Sequence, residues 1–204
     1  PISDQLKSWA KTELAKLGGR PRIALHLGPP QSQYHKIWAP ERFGALCERL
    51  TKEYGARFAV IGAANELGPL ERARKNHPLE HHWLGKTNLL ESFALIAGCD
   101  LFIGNDTGLA KAAAALGVPT ATVWGLSDPG EVGVPWNAAQ NLDIRTGIGC
   151  SPCARLGMAK EDQLNYLICG HHDCLEKLEV PFAFEAIRGK YGAVLDSARR
   201  DPYT

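Results

Sequence analysis

Short apolar segments alternate along the chain with longer segments of helical periodicity. Four of these segments are nearly continuous in apolar residues, as expected of strands that are buried on both faces of a sheet. They are RIALHLG, ARFAVIG, CDLFIG and TATVWG. The stretches between them leave room for helices of about ten residues, and parallel pairing requires such crossover connections. The pattern predicts an α/β fold with a doubly wound, Rossmann-like parallel sheet.

Residues that begin or end helices mark the element boundaries. Pro40 stands where a first helical position is expected, and Gly55 closes the periodic segment that follows it. Asn88 and Glu91 have the spacing of a capping box. The expected helices run from Ser3 or Asp4 to about Leu17, from Pro40 to Tyr54, from about Leu67 to Lys75, from Asn88 to Ala97, and through GLAKAAAALG. HHWLG and LDIRTG are candidates for further strands.

The chain divides by composition into four parts. Residues 1–20 are expected to form a linker helix, and residues 21–147 a Rossmann-like domain. Residues 148–180, here called the cysteine-rich segment, hold four of the six cysteines and belong to the same domain. Residues 181–204 read as a helical tail. Because the first residue is Pro and not Met, we expect that the chain was either cut from a longer protein or processed.

The charge balance argues against a polyanion as the main partner. The chain has 23 Lys and Arg against 22 Asp and Glu, and 45% of its residues are hydrophobic. A nucleic-acid-binding protein would show a basic surface, so no nucleic acid partner is expected. No apolar run approaches the roughly 20 residues that span a bilayer, and the N-terminus lacks the pattern of a secretory signal. We expect a cytoplasmic protein with at most peripheral membrane association.

The turn GNDTG lies between an apolar strand and an alanine-rich helix. A helix N-terminus offers unpaired N–H groups and a partial positive charge, which suit a phosphate group. Gly108 permits close approach to the backbone, Thr107 adds a hydroxyl, and Asp106 accepts hydrogen bonds from sugar hydroxyls. The plain alternative is that Asp106 or Thr107 only caps the helix.

Three more side chains belong to the same hypothesis. Lys111 lies in the first turn of that helix and opposes its dipole, a conflict that a bound anion would remove. Lys36 lies in a Gly/Pro-rich loop and could contact a diphosphate. Glu66 follows the second strand and could bind a ribose diol. Alternatively, both lysines are surface residues and Glu66 only favours a helix start. Neither a G-x-G-x-x-G nor a P-loop motif occurs, and no organic cofactor is expected.

The cysteine-rich segment has metal-ligand spacing. Its cysteines are arranged as C-x2-C and, fifteen residues later, C-x4-C. In a reducing compartment four such thiolates favour a structural zinc or iron ion. Two disulfides or free thiols are the alternatives. The candidate ligands are Cys150, Cys153, Cys169 and Cys174, while Cys47 and Cys99 are expected to be buried apolar residues.

The ordered motifs resemble the C-terminal half of glycosyltransferase family 9, which includes the heptosyltransferases of lipopolysaccharide core assembly. The resemblance spans roughly Arg22 to Val180. It rests on an early H-x-G, on KIWAPERF, on a VIG strand followed by an acidic residue, on LGKTNLLE, on DLFIGNDTG, and on CSPC with CGHHDCL.

The resemblance implies one half of a GT-B fold that binds a nucleotide-sugar donor, usually ADP-heptose. By that resemblance, Lys36 contacts the phosphate and sugar region, Glu66 holds the ribose, and Asp106 holds the heptose hydroxyls. Thr107 and Gly108 donate to the diphosphate. The backbone of Leu84 and Gly85 faces the adenine.

The resemblance also implies an inverting transfer of heptose to a lipopolysaccharide-core or protein hydroxyl. Lys36 and Lys111 would stabilise the leaving group, although many members have a histidine at the position of Lys111. The general base and the acceptor site would belong to a domain preceding Pro1, so this chain alone is expected to bind donor without turnover. Some relatives carry an iron site formed by four cysteines.

Two alternatives remain open from the sequence. The same fold could use another nucleotide sugar, such as a UDP- or GDP-hexose. The chain could instead be a non-enzymatic interaction module that a metal ion at the cysteines holds together.

Overall fold

One parallel sheet organises the chain. The computed structural model describes residues 2–28, 36–154 and 169–200, and within these ranges five strands pair in the order β2-β1-β3-β4-β5. They are β1 (Arg22–His26), β2 (Arg57–Val60), β3 (Leu101–Asn105), β4 (Thr120–Val123) and β5 (Asn141–Ile144). The strand order reverses between β1 and β3, which is where ligands bind in open sheets of this kind. The predicted fold class is confirmed.

Helices connect the strands and cover both faces of the sheet. They are α1 (Asp4–Ala15), α2 (Pro40–Tyr54), α3 (Leu67–Ala73), α4 (Leu89–Ala97), α5 (Gly108–Ala115), α6 (Pro129–Val132), α7 (Asp173–Glu176) and α8 (Val180–Arg200). Short 3-10 turns occupy Ala64–Glu66 and Pro135–Gln140. Among the described residues, no helix is both long enough and apolar enough to cross a membrane.

The expected helix boundaries largely match the structure. Gly55 ends α2 in a left-handed conformation with φ of 69°. At the start of α4 the Asn88 side chain accepts from the Glu91 amide at 3.0 Å, and Glu91 accepts from the Asn88 amide at 2.8 Å. The short strand expected around His82 is wrong. His82 forms only an isolated bridge with Val60, so this segment extends the sheet edge by a single residue.

The strands are apolar throughout because both sheet faces are buried. Side chains alternate between the faces of a strand, and in β3 Leu101 and Ile103 pack on one side with α2, α3 and α8. Phe102 packs on the other side with α1, α4 and α5. This two-sided burial explains why the strands could be predicted from continuous apolar runs in the sequence.

The C-terminal helix α8 shares the core of the sheet. It packs along α2 and β5, and the Tyr191 hydroxyl lies 2.7 Å from the carbonyl oxygens of both Thr120 and Gln140. Burial raises the pKa of the Tyr191 phenol well above its usual value. The predicted tail, residues 181–204, therefore contributes α8 to the same core as the strands. The division of the chain at residues 147 and 180 stays a prediction.

Asn105 ties together the loops at the carboxyl edge of the sheet. Its side chain is fully buried, and its Nδ2 donates to the Leu27 carbonyl at 2.8 Å. Its Oδ1 accepts from the Trp38 amide at 2.9 Å. One amide side chain therefore joins the end of β3 to the chain leaving β1 and to the segment that enters α2.

Candidate functional site

A cavity of about 400 Å³ opens at the carboxyl ends of the strands. Its lining comes from the loops after four strands, the position where such sheets bind ligands. The residues are His26, Lys36, Glu66, Asp106, Thr107, Gly108, Lys111, Ser127 and Val132. The structure thus brings together six residues proposed from the sequence: Lys36, Glu66, Asp106, Thr107, Gly108 and Lys111.

His26 also lines the cavity. The sequence analysis noted it only as part of the H-x-G motif and gave it no role in the site. The side chain is 7% exposed. Its Nδ1 lies 3.1 Å from the Thr107 hydroxyl, and its Nε2 lies 3.3 Å from Oε1 of Glu66. Because a carboxylate can only accept, Nε2 carries the hydrogen, and in the neutral ring Nδ1 accepts from the hydroxyl. Its signals in the sequence were the H-x-G motif and its place as a polar residue in the apolar run RIALHLG.

The Glu66 carboxylate is buried between the protein and the cavity. Its Oε1 also accepts from the Ala63 amide at 2.9 Å, so the residue does stabilise the turn, as the plain alternative held. Its Oε2 is 3.2 Å from Nε2 of His26 but accepts no hydrogen bond from any described residue. A Cβ at Gly62 would lie 2.5 Å from this oxygen, so only glycine leaves room for the carboxylate.

The N-terminus of α5 faces the cavity without a side-chain cap. Thr107 has the extended backbone of an N-cap residue, yet its hydroxyl makes no cap hydrogen bond. That hydroxyl contacts His26 instead. A Cβ added at Gly108 would meet no atom within 4 Å. The helix amides are therefore open to an anion, as the phosphate hypothesis requires.

Two lysines line the cavity together with the N-terminus of α5. Lys111 is 45% exposed, and its ammonium lies 4.0 Å from a carboxylate oxygen of Asp106. The Asp106 side chain is only 9% exposed. Lys36 lines the cavity from the loop that precedes α2. The lysines and the helix dipole place positive charge around the Asp106 carboxylate. The positive groups suit the phosphates of a ligand, and the carboxylate suits its hydroxyls.

Leu84 and Gly85 do not line the cavity in the described structure. Leu84 is buried. The Gly85 amide donates to the Gly62 carbonyl at 3.0 Å, and a Cβ at Gly85 would lie 2.6 Å from that of Ala64. These residues therefore support the loop that carries Glu66. Their role toward an adenine ring stays a prediction.

Ser127 and Val132 complete the cavity from the loop after β4. Neither residue was singled out from the sequence. Ser127 also forms an isolated parallel bridge with Ala154. The bridge brings the start of the cysteine-rich segment alongside the cavity.

The four cysteines of that segment differ in their exposure. Cys150 is exposed, Cys153 and Cys169 are half-buried, and Cys174 is buried, and all four are free thiols. Burial, with added repulsion from the other three thiols, raises the pKa of Cys174 to about 11. Four sulfur donors suit a tetrahedral zinc or iron ion.

The described coordinates do not arrange these thiols as a metal site. No group of three or more potential metal ligands surrounds a common point in the described ranges. Residues 155–168, between the second and third of these cysteines, lie outside those ranges. Cys47 and Cys99 are buried as expected, and burial raises the pKa of both thiols.

Comparison with known proteins identifies the family. The model of glycosyltransferase family 9 (heptosyltransferase) matches residues 2–162. The chain is 32% identical over 136 residues to lipooligosaccharide heptosyltransferase 2 of Haemophilus influenzae, a match that covers 62% of this chain and 37% of that protein.

Two solved structures show the same fold. Escherichia coli ADP-heptose LPS heptosyltransferase II superposes with a TM-score of 0.69 at 22% identity, covering 96% of this chain and 52% of that one. The dodecameric iron-containing heptosyltransferase TibC, in complex with ADP-D-β-D-heptose, gives a TM-score of 0.62 at 18% identity, covering 85% and 46%. The chain therefore spans about half the length of these structures.

Proposed function

Because the chain belongs to glycosyltransferase family 9 (heptosyltransferase), we propose that it is the donor-binding part of an enzyme that transfers heptose from ADP-heptose to a hydroxyl acceptor. One observation carries the proposal. A single cavity gathers two lysines, an uncapped helix N-terminus and two carboxylates at the carboxyl edge of the sheet. The lysines and the helix amides can bind a diphosphate, and the carboxylates can accept hydrogen bonds from sugar hydroxyls.

The diphosphate binds at the α5 side of the cavity. The Gly108 backbone supplies a neutral donor there, and Lys36 and Lys111 supply charge. The Thr107 hydroxyl has one hydrogen and can donate to the diphosphate only by leaving Nδ1 of His26. The pairing of Lys111 with Asp106 at 4.0 Å is too long for a direct hydrogen bond. The ammonium is therefore free to donate to a phosphate oxygen when the donor binds.

The sugars are held by the two carboxylates. Asp106, beside the diphosphate site, accepts from hydroxyls of the transferred heptose. Glu66 lines the cavity with a carboxylate side chain that is 5% exposed, and it accepts from the ribose. Both groups act by orienting the donor, so that its anomeric carbon faces the acceptor.

Transfer proceeds with inversion at that carbon. The acceptor oxygen forms the new glycosidic bond while the bond from the anomeric carbon to the ADP oxygen breaks. The acceptor proton passes to a base outside this chain. Negative charge develops on the departing ADP, where Lys36, Lys111 and the α5 terminus stabilise it. We assign the acceptor site and the base to a preceding domain, and we place the enzyme in the cytoplasm.

The cysteine-rich segment holds a structural metal ion in this proposal. Support comes from the C-x2-C and C-x4-C spacing of its four cysteines, and the likeness in fold to the iron-containing TibC makes iron the first candidate. Zinc is the alternative for the same donor set. Cys150, Cys153, Cys169 and Cys174 would ligate the ion, which would stabilise the segment without entering the transfer.

Isothermal titration of the chain with ADP and ADP-heptose tests the donor assignment. Both should bind, and UDP and GDP should bind at least about tenfold more weakly, a difference of about 1.4 kcal/mol. Preference for UDP or GDP would redirect the proposal to another nucleotide sugar. No heat and no thermal stabilisation by any of the four at millimolar concentration would contradict a donor-binding function and favour an interaction module.

A further inference from the structure

The cysteine-rich segment is hydrogen-bonded to two of the loops that form the cavity. In its described parts, 148–154 and 169–180, no residue lines the cavity itself. These parts nevertheless contact two walls of the cavity, 169–180 both walls and 148–154 one of them. One wall carries Lys36 and the other carries Ser127.

Arg42 joins the Lys36 wall to the end of α7. From the first turn of α2, its Nη1 donates to the Leu175 carbonyl at 2.7 Å and to the Leu178 carbonyl at 3.1 Å. Its Nη2 donates to the Glu176 carbonyl at 2.7 Å. One guanidinium therefore satisfies three carbonyls at a helix C-terminus, where backbone acceptors lack partners and a cation is favoured.

The geometry requires arginine in particular. The planar guanidinium presents several N–H groups in a fixed fork, whereas a lysine ammonium is a compact charge on a flexible stem. Lysine at position 42 would keep the positive charge near α7 but could not reproduce the three contacts. The side chain is 28% exposed, so the substitution disturbs the core little.

Trp38 connects the same carbonyl cluster to the centre of the site. Its indole Nε1 donates to the Leu178 carbonyl at 2.8 Å, and its backbone amide donates to Oδ1 of Asn105 at 2.9 Å. Trp38 is fully buried and lies two residues after Lys36. Asn105 directly precedes Asp106. The path of the chain at Lys36 therefore depends on the end of α7.

The opposite wall is attached to the start of the segment. The amides of Cys153 and Ala154 donate to the Leu126 carbonyl at 3.0 and 2.9 Å. The Ser151 hydroxyl donates to the Gly125 carbonyl at 2.6 Å. The side chain of Leu175, in α7, lies so close to Gly125 that a Cβ there would be 3.0 Å away. Both ends of the segment thus meet the loop that leads to Ser127.

We propose that the described parts of the cysteine-rich segment, 148–154 and 169–180, brace the donor cavity and that Arg42 is the positioning residue that couples them to Lys36. Disturbing the brace lowers nucleotide affinity although no group that touches the nucleotide is changed. The effect on affinity rests on the proposed donor-binding function. The effect on the loops does not, since the hydrogen bonds exist without ligand.

Arg42→Lys is the test variant, and Arg72→Lys is its matched control. Arg72 forms a two-point contact with Glu41, the neighbour of Arg42, at 2.8 and 2.9 Å, and it does not contact the segment in the described structure. Trp38→Phe is a second variant that keeps a buried aromatic ring and removes the indole donor, together with part of the indole volume. Urea unfolding of each variant confirms that it folds.

Hydrogen exchange without ligand measures the brace directly. Arg42→Lys should accelerate exchange of the amides from Lys36 to Trp38, and Arg72→Lys should not. Equal exchange in Arg42→Lys, Trp38→Phe and the parent would overturn the brace, whether or not ADP binds. Absence of ADP binding to the parent would instead count against the proposed function alone.

ADP titration measures the consequence at the site. Arg42→Lys and Trp38→Phe should each weaken binding by roughly 3- to 10-fold, and Arg72→Lys by less than about 2-fold. In a Lys36→Ala background the Arg42→Lys effect should disappear, because the residue acts through Lys36. An equal loss in both backgrounds would show a general structural effect and overturn the positioning role.

Discussion

The Nδ1 atom of His26 lies 3.1 Å from the hydroxyl of Thr107. The opposite ring nitrogen faces Glu66, so one buried imidazole links the ends of β1 and β3 to the loop after β2. Holding the Thr107 hydroxyl has a second effect. A threonine in the N-cap position usually accepts from the helix amides, but this one does not. The contact keeps the N-terminus of α5 available for an anion.

Replacing His26 with phenylalanine should harm both stability and nucleotide binding. The change leaves the buried Glu66 carboxylate with only the Ala63 amide and releases the Thr107 hydroxyl toward its own helix. A buried acceptor that loses its partner costs about 1–3 kcal/mol. Urea unfolding should show a loss of that size, and ADP titration should show weaker binding.

A paired substitution separates the two effects of His26→Phe. Adding Glu66→Leu removes the stranded carboxylate, so part of the lost stability should return, since replacing both partners by apolar groups is better tolerated. ADP affinity should stay low. Full stability in His26→Phe alone would contradict the importance of this buried hydrogen-bonded chain.

The sheet could be predicted because its signal is local. Strands buried on both faces are continuous apolar runs, and Gly55 and Asn88 mark helix ends by their own conformational preferences. The anion site at the turn after β3 could also be proposed, because a lysine at the start of an alanine-rich helix conflicts with the helix dipole. Each of these signals arises from residues that are close together in the sequence.

The remainder of the site depends on tertiary contacts. His26 precedes Glu66 by 40 residues, and no local pattern distinguishes a buried histidine that orients a site from one that fills a core. The prediction of a strand around His82 was wrong because only one residue of that segment pairs with the sheet. Arg42 resembled an ordinary helix residue until its three carbonyl partners were located.

Replacing Lys111 with histidine should make donor binding depend on pH. A lysine ammonium stays charged between about pH 6 and pH 8, whereas a histidine with the usual pKa near 6.5 loses its charge in that range. The variant should therefore bind ADP-heptose more weakly at pH 8 than at pH 6. ADP-heptose is the preferred ligand because its diphosphate carries no terminal phosphate that titrates there.

Two further variants calibrate the Lys111 result. Lys111→Ala should weaken binding by about 1–2 kcal/mol at all pH values, since it removes a charged donor to phosphate. Lys52→His is the matched control, because Lys52 pairs with Glu48 on α2 and does not line the cavity. Unchanged affinity in Lys111→Ala would return this lysine to the solvated surface.

His77 should make folding stability depend on pH. Its Nε2 lies 3.0 Å from the Thr51 hydroxyl, and its Nδ1 accepts from the Leu79 amide at 3.3 Å, which requires a neutral ring. Burial lowers the pKa of His77 below its usual 6.5. The unfolded chain therefore binds the proton more readily, so stability is fully present above about pH 6.5 and declines as pH falls through the folded-state pKa.

Urea unfolding between about pH 5.5 and pH 7.5 checks this sign. The parent should be less stable at the acidic end, and His77→Gln should show a smaller decline because glutamine can replace both hydrogen bonds without titrating. Some decline should remain, since burial also lowers the pKa of His82. An identical slope in His77→Gln and the parent would assign the pH dependence to other groups.

The thiols of the cysteine-rich segment should bind about one equivalent of iron or zinc. Because the pKa of Cys174 is raised to about 11, the free thiol is protonated at neutral pH and the ion must displace its proton. Uptake by metal-free protein should therefore release protons and weaken as pH falls.

Cys150→Ser and Cys174→Ser should each lower the metal content measured by elemental analysis. Cys99→Ala should not, since that buried thiol contacts the Leu95 carbonyl in α4. Less than about a tenth of an equivalent in the parent would remove the metal.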